Sequence, residues 1–419
     1  MSTVSSSVTS QEWDRVQRKA LIAGAAGLVL CVAGVLLSPE HFFRSYLVAF
    51  NFWLGISLGC LVILMVQHLT GGAWGILLRR VLEAGARTLF LLVLLFLPLL
   101  AGLNVLYGWT HSEMAMRESI PEFKRFYLSV PFFLARAAIC FACWLALSYF
   151  LNKWSAEQDA EARPDRARRF RLLSAPGLVV YGLTITFASI DWVMSLEPRW
   201  FSTIYPVMFA VGQALEGTAF AVIVAIFLAS RQPMAGVIQP THRRDLGNLL
   251  LMFVMFWAYM SFSQFLLIWA ENLPEEIPWY LRRTRDGWQW IAALLILFQF
   301  GLPFLLLLCR DVKENPRRLA AVAGLILVLR FVDLFWWIEA AFADGISFYW
   351  LLDIAALVGL GGIWLWWFLG QLRKRPILPL HDPYQSEYLP ELSVVGCVGG
   401  SSANVEKLAV PPPTHPAGG

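Results

Sequence analysis

The feature that most constrains this 419-residue chain is a series of apolar blocks, each about twenty residues long and nearly free of charge. An α-helix rises ~1.5 Å per residue, so about twenty residues cross the ~30 Å hydrocarbon core of a bilayer. The blocks fall near residues 20–37, 47–66, 88–107, 128–151, 172–195, 204–229, 246–270, 288–309, 317–341 and 348–370. A segment isolated in lipid must satisfy its own backbone hydrogen bonds, so each block reads as helix. Residues of the hydrophobic types make up 58% of the chain, against about 45–50% in soluble domains. A soluble core helix needs only one apolar face. The expected fold is therefore all-α and membrane-integral, with about ten transmembrane helices. A soluble enzyme is excluded, and no Gly-rich phosphate loop lies between a strand and a helix.

The net charge of +4 is small and gives no nucleic-acid footprint. Its distribution along the connections is more telling. Twenty-two Lys and Arg fall on the N-terminal segment, 67–87, 152–171, 230–245, 310–318 and 373–375; eight fall on the alternate connections. The positive-inside rule places both termini in the cytoplasm, which an even span count allows. The expected organisation is a cytoplasmic segment 1–19, a ten-helix domain 20–375 and a cytoplasmic tail 376–419. The tail is rich in Pro, Gly and Ser, and either stays unfolded or docks through 376–391 on a neighbour. Arg15, Arg18 and Lys19 before the first span resemble a signal-peptide n-region. Leu36-Leu37-Ser38-Pro39 is a poor cleavage site, so an uncleaved first helix is expected.

Tryptophans 109, 192, 200, 269, 279, 288, 290 and 350 gather at span ends, the pattern of an interfacial belt. Five of the six cysteines lie in or beside apolar blocks, where a thiol acts as a small hydrophobe; Cys397 does not. No disulfide framework is suggested.

A charge at the centre of a membrane helix costs roughly 2.5–3.5 kcal/mol on insertion scales, so such residues are functional candidates by default. Glu216 lies mid-span, near Gln213 and Thr218. Arg330 and Asp333 lie near the middle of span 9, and their i, i+3 spacing places them on one face. They read either as a neutralised structural pair or as a proton or quinone contact. Arg136, Asp191, Glu339 and Asp353 lie toward the outer side. Glu197 and Glu271 fall at outer interfaces, where solvation suffices. Gln67 and His68 close span 2 at its inner end, where a lone histidine is commonly a helix-end hydrogen-bonder. Carboxylates running from mid-membrane outward suit proton release or uptake at the outer face.

Histidines 41, 111, 242, 381 and 415 fall in loops or tails, so no pair is placed to ligate haem inside the bundle. Cys140-x-x-Cys143 is followed by Trp144 rather than histidine, unlike a c-haem attachment motif. The expectation is that the chain binds no redox metal itself, and that electrons from any redox step pass to a partner.

Three stretches are similar to a known family: His68–Gly75 (HLTGGAWG), Ser189–Thr203 (SIDWVMSLEPRWFST) and Phe262–Glu276 (FSQFLLIWAENLPEE). Together they resemble the second polysulfide-reductase-like (NrfD/PsrC-like) membrane subunit of alternative complex III, the ActF family, over about residues 20–391. That complex is a quinol:cytochrome c oxidoreductase. The resemblance implies two four-helix bundles, spans 2–5 and 6–9, flanked by spans 1 and 10, in a bacterial inner membrane. It implies as partners a related NrfD/PsrC-like subunit that carries the main quinol site, an iron–sulfur subunit, multihaem cytochrome c subunits and an associated terminal oxidase. Haem c and iron–sulfur clusters would then sit in those partners, with quinol or quinone as the ligand shared with the membrane. The subunit resembled has a structural or proton-conducting role and is not catalytic by itself. On this reading Glu216, Arg330 and Asp333 form the mid-membrane part of a proton path, Asp191, Glu339, Asp353 and Arg136 its outer part, and His68 and Gln67 a quinone-proximal position.

Two other readings use the same charges. A secondary transporter would pair helix breaks between halves, but Pro98, Pro131, Pro176, Pro206 and Pro303 show no clear pairing. A purely structural membrane anchor would use the charges as packing pairs.

Overall fold

The computed structural model describes residues 10–111, 122–161, 166–231, 234, 238–342, 350–379 and 382. Over these residues the protein is all-α, with ten helices long and apolar enough to cross a membrane. They are α1 Gln11–Leu37, α2 Pro39–Thr70, α3 Trp74–Ala101, α4 Val130–Ala160, α5 Ala167–Leu196, α6 Tyr205–Ala229, α7 Pro240–Glu271, α8 Trp288–Leu308, α9 Pro316–Glu339 and α10 Leu351–Arg373.

Local chemistry sets several boundaries. Proline occupies the first turn of α2, α4, α6, α7 and α9, where its missing N–H costs nothing and its fixed φ favours helix. The Asn315 side chain accepts from the amides of Arg317 (3.0 Å) and Arg318 (3.3 Å) at the start of α9. Gly71 and Gly72, both at positive φ, turn the chain from α2 into α3.

Helices α2–α5 pack together as one bundle and α6–α9 as a second, joined chiefly through α2 and α6. The most apolar window of α2 is 94% buried and that of α6 78%, against 22% for α1 and α8 and 28% for α7. The first two are thus the inner wall of both bundles, and the other three turn most of their surface outward. Close approach at the α2–α6 crossing depends on glycine. A Cβ at Gly59 would strike the Gln213 backbone, and one at Gly217 the Gly59 backbone. Helices α1 and α10 flank the bundles as a pair, with Gly24 and Gly27 lying against Gly362 and Gly359. Asp14 and Arg373 pair at the start of α1 and the end of α10 (2.5 Å). That side of the molecule is called here the terminal end, and the other the far end.

Three expectations change. Residues 73–87 are not a loop: helix runs from Ala73 through Arg87 and resumes at Leu89. Arg79, Arg80 and Glu83 are buried there because they neutralise one another, which charge-based reading of a loop misses. The tryptophan belt is largely internal. Trp109, Trp192, Trp200, Trp279 and Trp288 are buried, whereas Trp269 and Trp290 face outward. The buried rings pack on one another, as in the stacked Trp200–Trp279 pair (5.0 Å), and the Trp350 side chain lies outside the described residues. Glu197 is not simply solvated, because it pairs with buried Arg283. Arg117, His381, His415, Cys397 and the tail from 383 onward lie outside the described residues.

Candidate functional site

The α2–α6 crossing creates the central site. Gly55 offers no side chain, and the Glu216 carboxylate occupies the space that a Cβ there would fill. From α9, Arg330 Nε donates to Glu216 Oε1 (3.2 Å), and the same guanidinium pairs with Asp333. It lies against Gly212 of α6, where a Cβ would collide with it. The i, i+3 pair expected from sequence is therefore part of a triad that includes Glu216. All three residues are 2% exposed or less. Trp257 of α7 donates to Asp333 Oδ2 (3.1 Å), and Tyr181 of α5 donates to Gln213 Oε1 (2.8 Å) beside the cluster. Glu216 Oε2 is buried without a hydrogen-bond partner.

Sequence reading missed Gln299. Residues Leu295–Gly301 of α8 form a π-helical turn, and the turn places fully buried Gln299 against α7 and α9. With the amide oriented so that both of its polar atoms are satisfied, its nitrogen donates to Leu329 O (2.9 Å) and its oxygen accepts from Trp257 Nε1 (3.3 Å). A neutral glutamine within an apolar run carries no charge signal to find it by.

At the far end the predicted outer carboxylates separate into two groups. Arg136 donates to both Asp191 oxygens (2.6 and 2.9 Å) and lies over the Tyr127 ring (3.8 Å), within the first bundle. Burial pushes the Tyr127 hydroxyl pKa up. Ser45 lies beside Asp353, and Glu339 lies within electrostatic reach of Asp353 and Arg44, where α9 and α10 meet the start of α2. Asp353 Oδ1 has no hydrogen-bond partner. Nearby, Arg283 Nη1 donates to Glu197 Oε1 (2.7 Å), Nη2 donates to Trp337 O (2.7 Å), and the guanidinium covers the Trp279 ring (3.9 Å). Burial draws the Arg283 pKa below its ordinary value, and Glu197 opposes that shift.

A second polar centre lies at the terminal end. Glu83 accepts from Ser155 (2.5 Å), Arg80 (2.8 Å), Arg79 (3.0 Å) and Arg375 (3.3 Å). Arg79 also reaches Asp382 (2.9 Å), and Arg80 pairs with Asp159. Four donors on one carboxylate hold α3, α4 and the segment after α10 together. Beside this network lies a cavity of about 230 Å³. Its lining includes Gln67, His68, Gly71, Arg79, Phe170 and Asp382. His68 stacks on Phe170 (4.3 Å), and His68 Nε2 and Gln67 Oε1 are buried without hydrogen-bond partners.

The predicted residues thus fall in four places: the triad between α6 and α9, the Arg136–Asp191 pair, the Glu339/Asp353 group and the His68/Gln67 cavity. No protein-family model matches the chain, and no curated protein proves similar to it.

Proposed function

We propose that this multi-pass membrane protein is a subunit of a respiratory quinol:electron-acceptor (cytochrome c) oxidoreductase of the alternative-complex-III type, contributing to proton translocation and to assembly. The observation that carries the reading is the mid-membrane triad. Two carboxylates face one guanidinium, so full ionisation would leave a net negative charge buried among apolar helices. Such a charge is costly, and one bound proton removes it. The cluster therefore has the composition of a single-proton site at the junction of two bundles. Quinol oxidation releases two protons and two electrons. The triad and the far-end carboxylates supply proton-handling groups, and the electrons pass to haem c and iron–sulfur clusters of partner subunits.

The three resembling stretches also have meaningful places. Ser202 donates to Gln264 Oε1 (2.5 Å) and Trp200 Nε1 donates to Glu276 O (3.1 Å), so the second and third stretches meet at the far end. Residues 68–72 of the first line the terminal-end cavity. Quinone contact is assigned to that cavity, whose lining includes Gln67 and His68. The proposed setting is a bacterial inner membrane with both termini cytoplasmic, beside a related NrfD/PsrC-like subunit, an iron–sulfur subunit, multihaem cytochromes c and a terminal oxidase. The paired state of Arg136–Asp191 and Arg283–Glu197 favours one second reading, a structural anchor without proton traffic.

One assay separates them. Glu216→Gln or Asp333→Asn in the purified complex, returned to vesicles, is expected to lower the protons moved per electron while leaving the subunits assembled. In the same vesicles His68→Leu is expected to raise the KM for quinol. Unchanged proton stoichiometry in intact complex removes the coupling role and leaves the anchor, and unchanged KM removes the quinone contact.

A further inference from the structure

Trp257 has one indole N–H and two acceptors for it. Asp333 Oδ2 lies at 3.1 Å, and the Gln299 amide, in the orientation that satisfies both of its polar atoms, presents its oxygen at 3.3 Å. The π-helical turn of α8 brings Gln299 to this position, and its amide nitrogen is anchored on Leu329 O, immediately before Arg330 in α9. An N–H bonded to an ionised carboxylate stabilises the charged form, and its withdrawal favours the protonated form. We propose that Gln299 is a positioning residue that competes with Asp333 for the Trp257 N–H, and so sets how the cluster's single proton divides between Asp333 and Glu216.

The step balances simply. The proton leaves one carboxyl oxygen and joins the other carboxylate, Arg330 stays charged throughout, and no electrons move. With the proton on Glu216, Asp333 is ionised and holds both Arg330 and the indole N–H. With the proton on Asp333, Arg330 turns its charge to Glu216, and the indole N–H goes to Gln299. The groups facing the cluster are Gly55 of α2, Tyr181 of α5, Tyr205, Gly212 and Gln213 of α6, Trp257 of α7, Gln299 of α8 and Trp337 of α9. The charged groups among the cluster's own members are Glu216, Arg330 and Asp333. A π turn inserts one residue per turn relative to an α-helix and commonly marks functional positions. Here it sets Gln299 at the contact of α7 and α9.

The inference rests on the single-proton reading of the triad, and its readout is independent of proton pumping. Infrared difference spectra of the purified protein report carboxylic-acid C=O stretches, assigned to each residue by Glu216→Gln and Asp333→Asn. Gln299→Met keeps the volume but removes the acceptor, leaving the indole N–H to Asp333. It should raise the Glu216 share of the acid signal. Trp257→Phe removes the donor and should raise the Asp333 share. Each is expected to change the ratio about fivefold, the effect of one net hydrogen bond. Opposite movements in variants with wild-type thermal melting support the proposal. Movements in the same direction, or no movement in either, overturn it. A spectrum with no acid signal from either carboxyl would instead overturn the single-proton reading beneath it. Gln299→Asn offers a shorter acceptor should Gln299→Met fail to fold, and a ratio identical to wild type there counts against the assigned geometry.

Discussion

Arg330 is balanced against two carboxylates in a setting nearly closed to solvent. Removing one partner of a buried ion pair leaves an uncompensated charge, which costs roughly 3–5 kcal/mol, whereas replacing a whole ionic group with neutral residues of similar volume is often neutral or stabilising. Arg330→Met alone should therefore lower the melting temperature of the purified protein strongly. Arg330→Met combined with Glu216→Gln and Asp333→Asn should recover most of the loss. A triple variant no more stable than the single one would show that shape, not charge, holds this contact. Arg330 and Asp333 were legible from the sequence because i, i+3 charges in an apolar run have few explanations. The third member was legible only as a lone charge, because Glu216 reaches Arg330 across 114 residues of chain.

At the scale of helices, glycine decides which pairs approach. Gly55 and Gly59 face α6 one turn apart, the small-xxx-small spacing that lets membrane helices touch along their backbones. A methyl at Gly59 would meet the Gln213 carbonyl, with no flexible side chain to yield. Gly182 on α5 has open space where a Cβ would lie. Gly59→Ala should therefore destabilise the protein and loosen the triad. Gly182→Ala should stabilise it by about 0.5–1 kcal/mol, the helix-propensity and chain-entropy gain. Melting of the two variants side by side checks the pair of signs, and a stabilising Gly59→Ala would contradict the close α2–α6 approach. The glycine spacing was present in the sequence, but its partner helix was not, since nothing local to α2 specifies α6. Helix α3 failed for the opposite reason. Its first half carries Arg79, Arg80 and Glu83, charges that tertiary pairing makes buriable and that hydropathy alone assigns to water. The π turn in α8 has no sequence signature at all.

For the whole molecule, the ten apolar blocks were legible because lipid leaves a chain little choice but helix. The two bundles follow from the contacts of α2 and α6, and the proposed orientation in the membrane rests on charge alone. Lys and Arg concentrate on the connections at the terminal end, so that end should be cytoplasmic. Lys153 near the end of α4 and Thr284 before α8 are both exposed and lie at opposite ends. In a background lacking the exposed thiol of Cys309 and the tail thiol of Cys397, a membrane-impermeant maleimide applied to intact spheroplasts should label Thr284→Cys and leave Lys153→Cys unlabelled until the membrane is opened. The reverse labelling would put the Glu83 network and the His68 cavity on the outer side. It would leave the triad at mid-membrane, because a site at the bilayer centre keeps its depth when the protein is inverted, but every direction assigned to its proton would change sign.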